Sequence, residues 1–510
     1  MTTFCPLSKS PIWGWQRRYF EESGIDAWRK GDVPHYITNS PRMSQAYAEL
    51  LLAFFRDRQN RPIQAPLYII ELGAGPGRFA YHLLKTLTGL CEQVGFSTPK
   101  FVYVLTDFVE ETVCFWESHP RLQPFFDAGL LDTALFDAER DTALHLRKTH
   151  RLIEPGSSHQ PLIVIGNYFF DSLPQELYHI GEADIQTVLL AHRSEHQVET
   201  KNAKEALQGV EIRFDYQNVP VPPIADALQA QVLQEYQTSL KNSHLLFPHV
   251  GIDCISRLHA LSLQGLLLIT ADGGMHRLEE LHQLAAPGIT KHGSISLPVN
   301  YHALKQHCRL MGGASFFPRH LPVNLTMGCL LYLSQPKTYK ETKLAYERLF
   351  NEFGPDHDYI IKRHAARQAS DLSADEMFAY LRMSAYDARL FMHFLPRFYE
   401  LKQDITEGER YAFLQTAIRT WDAYYPIGEE IDLALEIGAY LIVLAFYKEA
   451  LTFFQISEKQ SGVTTESLYS KALCHIALGQ HGVARPMLEE LKARAPDHPH
   501  AGTLLQTISS

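Results

Sequence analysis

The sequence predicts an α/β protein: a mostly parallel, helix-covered sheet with an inserted subdomain, followed by an all-α region of helical repeats. Three observations carry this reading. Short apolar runs alternate with helical patterns through the first two thirds of the chain. The first of those runs stops abruptly at Gly73-Ala74-Gly75-Pro76-Gly77. Beyond about residue 340, strand signals give way to helical ones, and a spacing of 34 residues appears. Strands that alternate with helices imply parallel pairing with helices on the sheet faces. A glycine turn between the first strand and its helix makes that sheet Rossmann-like.

Each element follows in order. Residues 42–58 place apolar side chains at helical spacing, with Ser40-Pro41 as the entry. Residues 67–72 (LYIIEL) are apolar without alternation, as expected of a strand buried on both faces. Residues 78–92 read as a helix, 95–100 as a loop and 101–106 (FVYVLT) as the next strand. Further strand-like runs are 161–166 (PLIVIG), 265–271 (GLLLITA) and 329–333 (CLLYL). The polar stretch 193–245, with Pro220, Pro222 and Pro223, reads as an insertion placed to form an arm over the mouth of a site. In the helical region Gly438, Ala450 and Phe454 are followed 34 residues later by Ala472, Ala484 and Leu488, with Pro496 at the end of the second copy. Small residues where two helices touch, at that period, form a tetratricopeptide-like pattern. The predicted domains are residues 1–60, an N-terminal helical segment; 61–338, the α/β domain; 339–430, a helical linker; and 431–510, the repeats.

Composition narrows the function. A chain of 510 residues with 45% hydrophobic and 20% charged residues is globular and holds more than one domain. A formal charge of −10 argues against a surface that coats nucleic acid. The seven cysteines are scattered with no Cys-x-x-Cys pair, which predicts free thiols in a reducing compartment. No export signal and no run of 18 apolar residues is visible, so the expectation is a cytoplasmic protein without a membrane partner. The 25 histidines include no His-x-x-x-His with an acidic neighbour, and no metal is predicted; His145, His150, His244 and His249 read as solvated surface.

The glycine loop carries the chemistry. Glycines there let the chain turn sharply and let a ligand approach the main chain. Dinucleotide sites use Gly-x-Gly-x-x-Gly around a pyrophosphate. Here the spacing is Gly73-x-Gly75-x-Gly77, preceded by Glu71, and Arg78 stands in place of a later glycine. An acidic neighbour suits a ligand bearing an ammonium and a sulfonium, which is S-adenosylmethionine. Asp107 ends the second strand, where a carboxylate can accept from two ribose hydroxyls; a helix cap ahead of residues 108–116 is the plainer role. A second constellation, Gly166-Asn167-Tyr168-Phe169-Phe170-Asp171-Ser172-Leu173-Pro174, follows another strand and so lies at the ligand-binding edge of the sheet. Asn167 offers donors and an acceptor, the phenylalanines can flank a flat group, and Asp171 can bind a cation.

In order and kind these motifs resemble the MidA-like methyltransferases. That family carries Thr-Ser-Pro-Glu-x-Ser, Glu-Leu-Gly-x-Gly-x-Gly, Asn-Glu-Phe-Phe-Asp-Ala-Leu-Pro and a late Asp-x-Thr-x-x-Val-Asp-Phe element. Here they correspond to Thr38 through Ser44 with Glu49 in the following helix, the glycine loop, Asn167 through Pro174, and Ser294 through Tyr301, within about residues 15–335. The resemblance implies a class I methyltransferase sheet with an extra subdomain. It also implies cofactor contacts from Glu71, Gly73, Gly75, Gly77, Asp107 and Phe170, and catalytic roles for Asp171, Asn167, Tyr168 and Asp272. Three departures stand out, the first being Arg42 in place of a family glutamate. Tyr168 replaces a family glutamate, and Thr270 through Gly274 keeps the acid and the glycine of a family Ile-Asp-Tyr-Gly strand end but not its tyrosine. The expected activity is methyl transfer to a protein or peptide, at arginine nitrogen by resemblance, with the repeats recruiting the substrate or another protein partner. The alternatives are a non-catalytic assembly protein that keeps the pocket and, less well matched by the loop spacing, a nicotinamide-linked oxidoreductase.

Overall fold

A strand with no polar side must be covered on both faces, and all six residues of β1 (Leu67–Leu72) are buried. A computed structural model describes residues 4–33, 36–59, 66–95, 101–194, 203–208, 210–216, 221, 224–322 and 324–508. Among the described residues, the α-helices α1 (Pro11–Ser23), α2 (Asp26–Arg29) and α3 (Pro41–Arg58) precede β1. Ser10 and Ser40 cap α1 and α3 through their side chains, each with proline at the first helical position. After β1 come α4 (Arg78–Gln93), β2 (Phe101–Asp107), α5 (Glu110–Ser118), β3 (Leu131–Leu135) and β4 (Leu162–Asn167).

A second sheet begins there, with β5 (Glu176–Ile180), β6 (Ile185–Ser194), β7 (Val210–Tyr216) and β8 (Ser243–Phe247), joined by the short strand Phe4–Pro6. All its pairings are antiparallel. The chain then returns to the first sheet with β9 (Leu266–Asp272), β10 (Ala314–Phe316) and β11 (Thr326–Tyr332).

The first sheet has the order β10-β11-β9-β4-β1-β2-β3. Pairs among β9, β4, β1, β2 and β3 are parallel, and β11 runs antiparallel to β9. The order proceeds outward from β1 in both directions, which leaves a crevice at the carboxyl ends of β1 and β4. Open α/β sheets bind their ligands at such a switch point. This is the doubly wound sheet with an inserted subdomain that the sequence predicts. The five apolar runs are strands, the last reaching back to Thr326. Sequence reading does not find β3, because its run is broken by Asp132, which is fully buried and accepts from the amides of Thr133, Lys148 and Thr149 and from the Thr149 hydroxyl.

The predicted insertion at 193–245 contains β7, β8 and the helix Ala227–Ser239, while 195–202, 209, 217–220 and 222–223 lie outside the described residues. Its sheet starts earlier, at Glu176. Residues 96–100 of the predicted 95–100 loop likewise lie outside.

By internal packing the chain divides into Met1–Tyr359 and Ile360–Ser510. The second unit is all helical. After the end of the helix Pro355–Arg367 come Ala374–Met383, Ala388–Leu401 and Glu407–Ala423, two of these three with a capping box. Two hairpins follow: Leu433–Val443 with Tyr447–Ser461, and Thr465–Ala477 with His481–Arg494. All six residues of the 34-residue pattern are buried. Gly438 is small for a reason: a Cβ there would lie 2.7 Å from the Phe454 ring. The seven cysteines are all free thiols. Among the described residues no helix is long and apolar enough to cross a membrane, and no cluster of three His, Cys, Asp or Glu could hold a metal.

Candidate functional site

The turn from β1 into α4 uses left-handed backbone at Gly73 (φ 57°), Gly75 (φ 53°) and Gly77 (φ 78°). L-residues adopt this region at a cost, and space is short as well. A Cβ on Gly73 would meet the Phe169 ring at 3.2 Å, and one on Gly75 the Trp28 indole at 3.1 Å. The loop is tied down by Trp116 Nε1, which donates to the Gly75 carbonyl at 2.8 Å, and by the Ala74 amide, which donates to Thr106 O at 3.0 Å. Gly73 and Gly75 line a cavity of about 400 Å³, whereas Gly77 sits behind the wall as the cap of α4.

Two carboxyls enter the cavity from the strand ends. Glu71, 4% exposed, accepts from Tyr103 Oη at 2.8 Å, and burial pushes its carboxyl up to about 8 against that hydrogen bond. Asp107, at the end of β2, accepts from the Val109 amide at 3.0 Å, and burial raises it to about 7. It lies three residues ahead of α5 and holds the turn into that helix, so the site and turn roles coincide.

The end of β4 supplies the next group. Asn167, Tyr168 and Asp171 all line the cavity. Tyr168 has φ 49°, an uncommon conformation for a bulky residue, and its amide donates to Ala271 O at 2.9 Å. Burial raises its phenol well above the ordinary value. Tyr47 of α3 donates to Asn167 Oδ1 at 2.7 Å. Asp171 accepts from Ser172 Oγ at 2.9 Å, and its amide plane is held by Leu297, whose N–H donates to Asp171 O at 3.0 Å.

Behind Asp171 lies Asp272, wholly buried, not in the cavity wall, and bonded to Tyr301 Oη at 3.0 Å. Burial raises both carboxyls: Asp171 to about 6, with the hydrogen bond from Ser172 opposing, and Asp272 further, because the charge on Asp171 adds to its burial. Phe170 is 1% exposed and belongs to the core; it is Phe169 that faces the cavity, over Gly73.

The opposite wall comes from the N-terminal helices. Trp13, Gln16, Arg17 and Phe20 project from one face of α1, joined by Trp28 and Val33. Gln16 bridges the walls, donating to Ser172 O at 3.0 Å and accepting from the Ile295 amide at 3.1 Å. Arg17 lies 4.6 Å over the Phe108 ring and pairs with Asp137 at 2.8 Å. It is the one cationic side chain among the described lining residues, facing Glu71, Asp107, Asp137, Glu139 and Asp171. Thr38 and Asn39 before α3, and Ser294 and Ser296 beside Asp171, bring both weaker motifs of the sequence to the same cavity.

No residue of 193–245 is among the described lining residues, and the described wall opposite the sheet comes from the N-terminal helices. Sequence reading missed α1 as a wall, although Trp13, Gln16, Arg17 and Phe20 fall at i, i+3, i+4 and i+7 behind a Ser-Pro entry, which is a readable helical face. Asp137 and Glu139 were missed with β3, whose exit they follow.

No protein-family model matches the chain, and no curated protein matches it. Among solved structures, an uncharacterized protein from Burkholderia thailandensis aligns over 62% of this chain and 74% of its own, with 16% identity and a TM-score of 0.39. A member of the same superfamily from that organism, bound to S-adenosyl-homocysteine, aligns over 68% and 84%, with 14% identity and a TM-score of 0.40. The CMeT domain of citrinin polyketide synthase aligns over 64% and 67%, with 12% identity and a TM-score of 0.27.

Proposed function

We infer that the protein transfers a methyl group from S-adenosylmethionine to a nitrogen of a polypeptide, arginine among the candidates. The observation that carries this reading is the convergence of a cramped, left-handed glycine turn and two buried strand-end carboxyls on one cavity at the switch point. The donor set fits the cofactor. The glycine turn leaves no room for a Cβ, the Asp107 carboxylate can accept from vicinal hydroxyls, and Glu71 with its neighbours suits positive charge. A pyrophosphate would meet five carboxyls and one guanidinium already paired to Asp137, which disfavours a dinucleotide.

When bound, S-adenosylmethionine supplies an electrophilic methyl on a sulfonium. The chain's own work is then to hold and deprotonate the nucleophile. Holding it in line is worth roughly 7–11 kcal/mol in favourable systems. Asp171, a carboxyl at the cavity wall on the turn after β4, is the group placed to accept the proton. Phe169, Trp13 and Trp28 exclude water.

In this reading the helical hairpins of the second unit recruit the polypeptide, as extended helical surfaces commonly do. Deletion of residues 369–510 is then expected to weaken capture of substrate without changing cofactor affinity. The competing reading, an assembly protein with an inert pocket, is favoured by Tyr168 in place of the family glutamate. Asp171→Asn separates the two: retained S-adenosyl-homocysteine binding with lost methyl transfer supports catalysis, and transfer at the wild-type rate contradicts it.

A further inference from the structure

Outside the cavity, beside its Asn324 edge, a strip of partly exposed side chains runs from Arg277 to Arg42. Arg277, in the segment after β9, donates to the carbonyls of Arg319 and His320. The His320 and His357 rings lie 4.7 Å apart, and His357 stacks on Phe353 at 6.0 Å. The Arg42 guanidinium lies 5.9 Å over the Phe353 ring. Two ties place the strip at the cavity edge. Asp356, one residue before His357, accepts from the amide of the lining residue Asn324 at 3.2 Å and from its Nδ2 at 2.6 Å. Arg42 is the second residue of α3 and follows the lining residue Asn39 by three. The charge of Asp356 also bears on the Tyr168 phenol, so this edge is the Tyr168 end of the site.

The strip is positive where other arginines are neutralised. Among the described residues neither Arg42 nor Arg277 pairs with a carboxylate, that of Glu352 beside Phe353 included. Arg42 donates to Gln45 Oε1 at 3.4 Å, and Arg277 to carbonyls and to His276 Nε2. Arg17, Arg319 and Arg348 of the same unit are paired, with Asp137, Glu347 and Glu49. The adjoining carboxyls are committed as well: Asp356 to Asn324, and Glu280 to the His276 and Arg277 amides. The cavity has the opposite sign, with five carboxyls and one guanidinium already paired. A uniformly basic chain would be held off by the strip, and a uniformly acidic one by the cavity. A nucleic acid would set phosphates against the same carboxyls. A polypeptide that is acidic around a neutral or basic acceptor side chain matches both surfaces. We propose that the strip docks an acidic segment of the polypeptide substrate, with carboxylates on Arg42 and Arg277, and so delivers the acceptor side chain to the Tyr168 end of the cavity.

This role rests on the methyl-transfer reading, and the test separates the two. Labelled octapeptides of alternating glycine and glutamate, or glycine and lysine, are titrated by fluorescence polarisation into full-length protein saturated with S-adenosyl-homocysteine. The wild type is expected to prefer the glutamate peptide by about fivefold or more at low salt, with the preference fading as salt rises. Arg42→Glu is expected to weaken the glutamate peptide by about tenfold and Arg277→Gln by about threefold, with S-adenosyl-homocysteine affinity unchanged. Arg309→Glu reverses an exposed charge outside the strip and is expected to change it by less than about twofold. A wild type that prefers the lysine peptide overturns the docking role and leaves methyl transfer standing. So does an Arg42→Glu protein that binds S-adenosyl-homocysteine and the glutamate peptide as the wild type does. Arg277→Gln decides in the same way if Arg42→Glu does not fold. Octathymidylate bound more tightly than the glutamate peptide makes the strip a nucleic-acid surface and overturns the role too. Failure of S-adenosyl-homocysteine to bind the folded wild type overturns methyl transfer itself, and the substrate role of the docked segment with it.

Discussion

The two walls of the cavity are built from different materials. The sheet wall carries backbone strain and charge: positive φ at Gly73, Gly75 and Tyr168, and carboxyls at Glu71, Asp107 and Asp171 raised by burial. The N-terminal wall carries area, in Trp13, Phe20 and Trp28, with Gln16 and Arg17 as its polar ties. Phe20 and Trp28 stack with ring centroids 5.8 Å apart, and Phe20 meets Phe108 of the sheet side edge-on at 6.5 Å. The difference assigns roles. Strained and desolvated groups are stable only when surrounding structure over-determines them, so they mark where ligand chemistry is fixed. An aromatic wall excludes water and supplies contact, and it tolerates exchange of one apolar group for another better than a strained turn tolerates a side chain.

Perturbing the sheet wall should therefore produce the larger losses. Gly75→Val puts a β-branched residue at φ 53° with its Cβ against Trp28, and S-adenosyl-homocysteine affinity is expected to fall by about 100-fold or more, roughly 2.8 kcal/mol. Calorimetry on folded protein measures it; a loss under about threefold would remove the loop from the site. Trp28→Ala opens the other wall and is expected to cost about tenfold in the same titration. If it equals or exceeds Gly75→Val, the contrast between the walls fails.

Acidity sharpens the comparison. In the free protein Glu71 and Asp107 are raised from 4.5 and 3.8 to about 8 and about 7. A group raised by burial contributes stability that is present in full below its unfolded value and is lost as pH rises through its folded value. Free-protein stability from these two groups should thus decline between pH about 4 and about 8. A ligand whose hydroxyls and ammonium favour the ionised carboxylates binds more tightly over the upper part of that range and releases protons as it does. Melting curves at pH 6 and pH 8 are expected to show a larger stabilisation by S-adenosyl-homocysteine at pH 8; a larger effect at pH 6 would contradict the ionic roles given to these carboxyls. The smallest effect belongs to Arg17→Met. Its pair with Asp137 is partly exposed on the arginine side, so affinity should change by less than about threefold.

The same contrast explains what the sequence made legible. The sheet wall announces itself locally, since a strand, a glycine turn and a strand-end acid are contiguous in the chain. Glu71, Gly73, Gly75, Asp107, Asn167, Tyr168 and Asp171 could all be placed in one site from residue order alone, and the structure brings all seven to the cavity. The N-terminal wall is assembled by tertiary packing. Nothing local in Trp13 or Trp28 says which surface they will cover, although the spacing of the α1 face was there to read. Phe169 and Phe170 show a finer limit. Adjacent aromatics are equivalent in sequence, and it is the fold, through the turn at the left-handed Tyr168 before them, that sets Phe169 on the cavity and Phe170 in the core. The buried Asp132 hid β3, and with it Asp137 and Glu139, for a related reason. A satisfied buried acid looks polar in sequence and behaves as core in the fold.

The central claim is that the strand-end carboxyls and the glycine turn form a site for S-adenosylmethionine. Calorimetric titration of S-adenosyl-homocysteine into wild type and Asp107→Ala tests it most directly. Micromolar binding to the wild type, about −8 kcal/mol, that falls at least about tenfold in Asp107→Ala is the predicted result. Wild-type protein that is folded and does not bind, or Asp107→Ala that binds equally well, would contradict it.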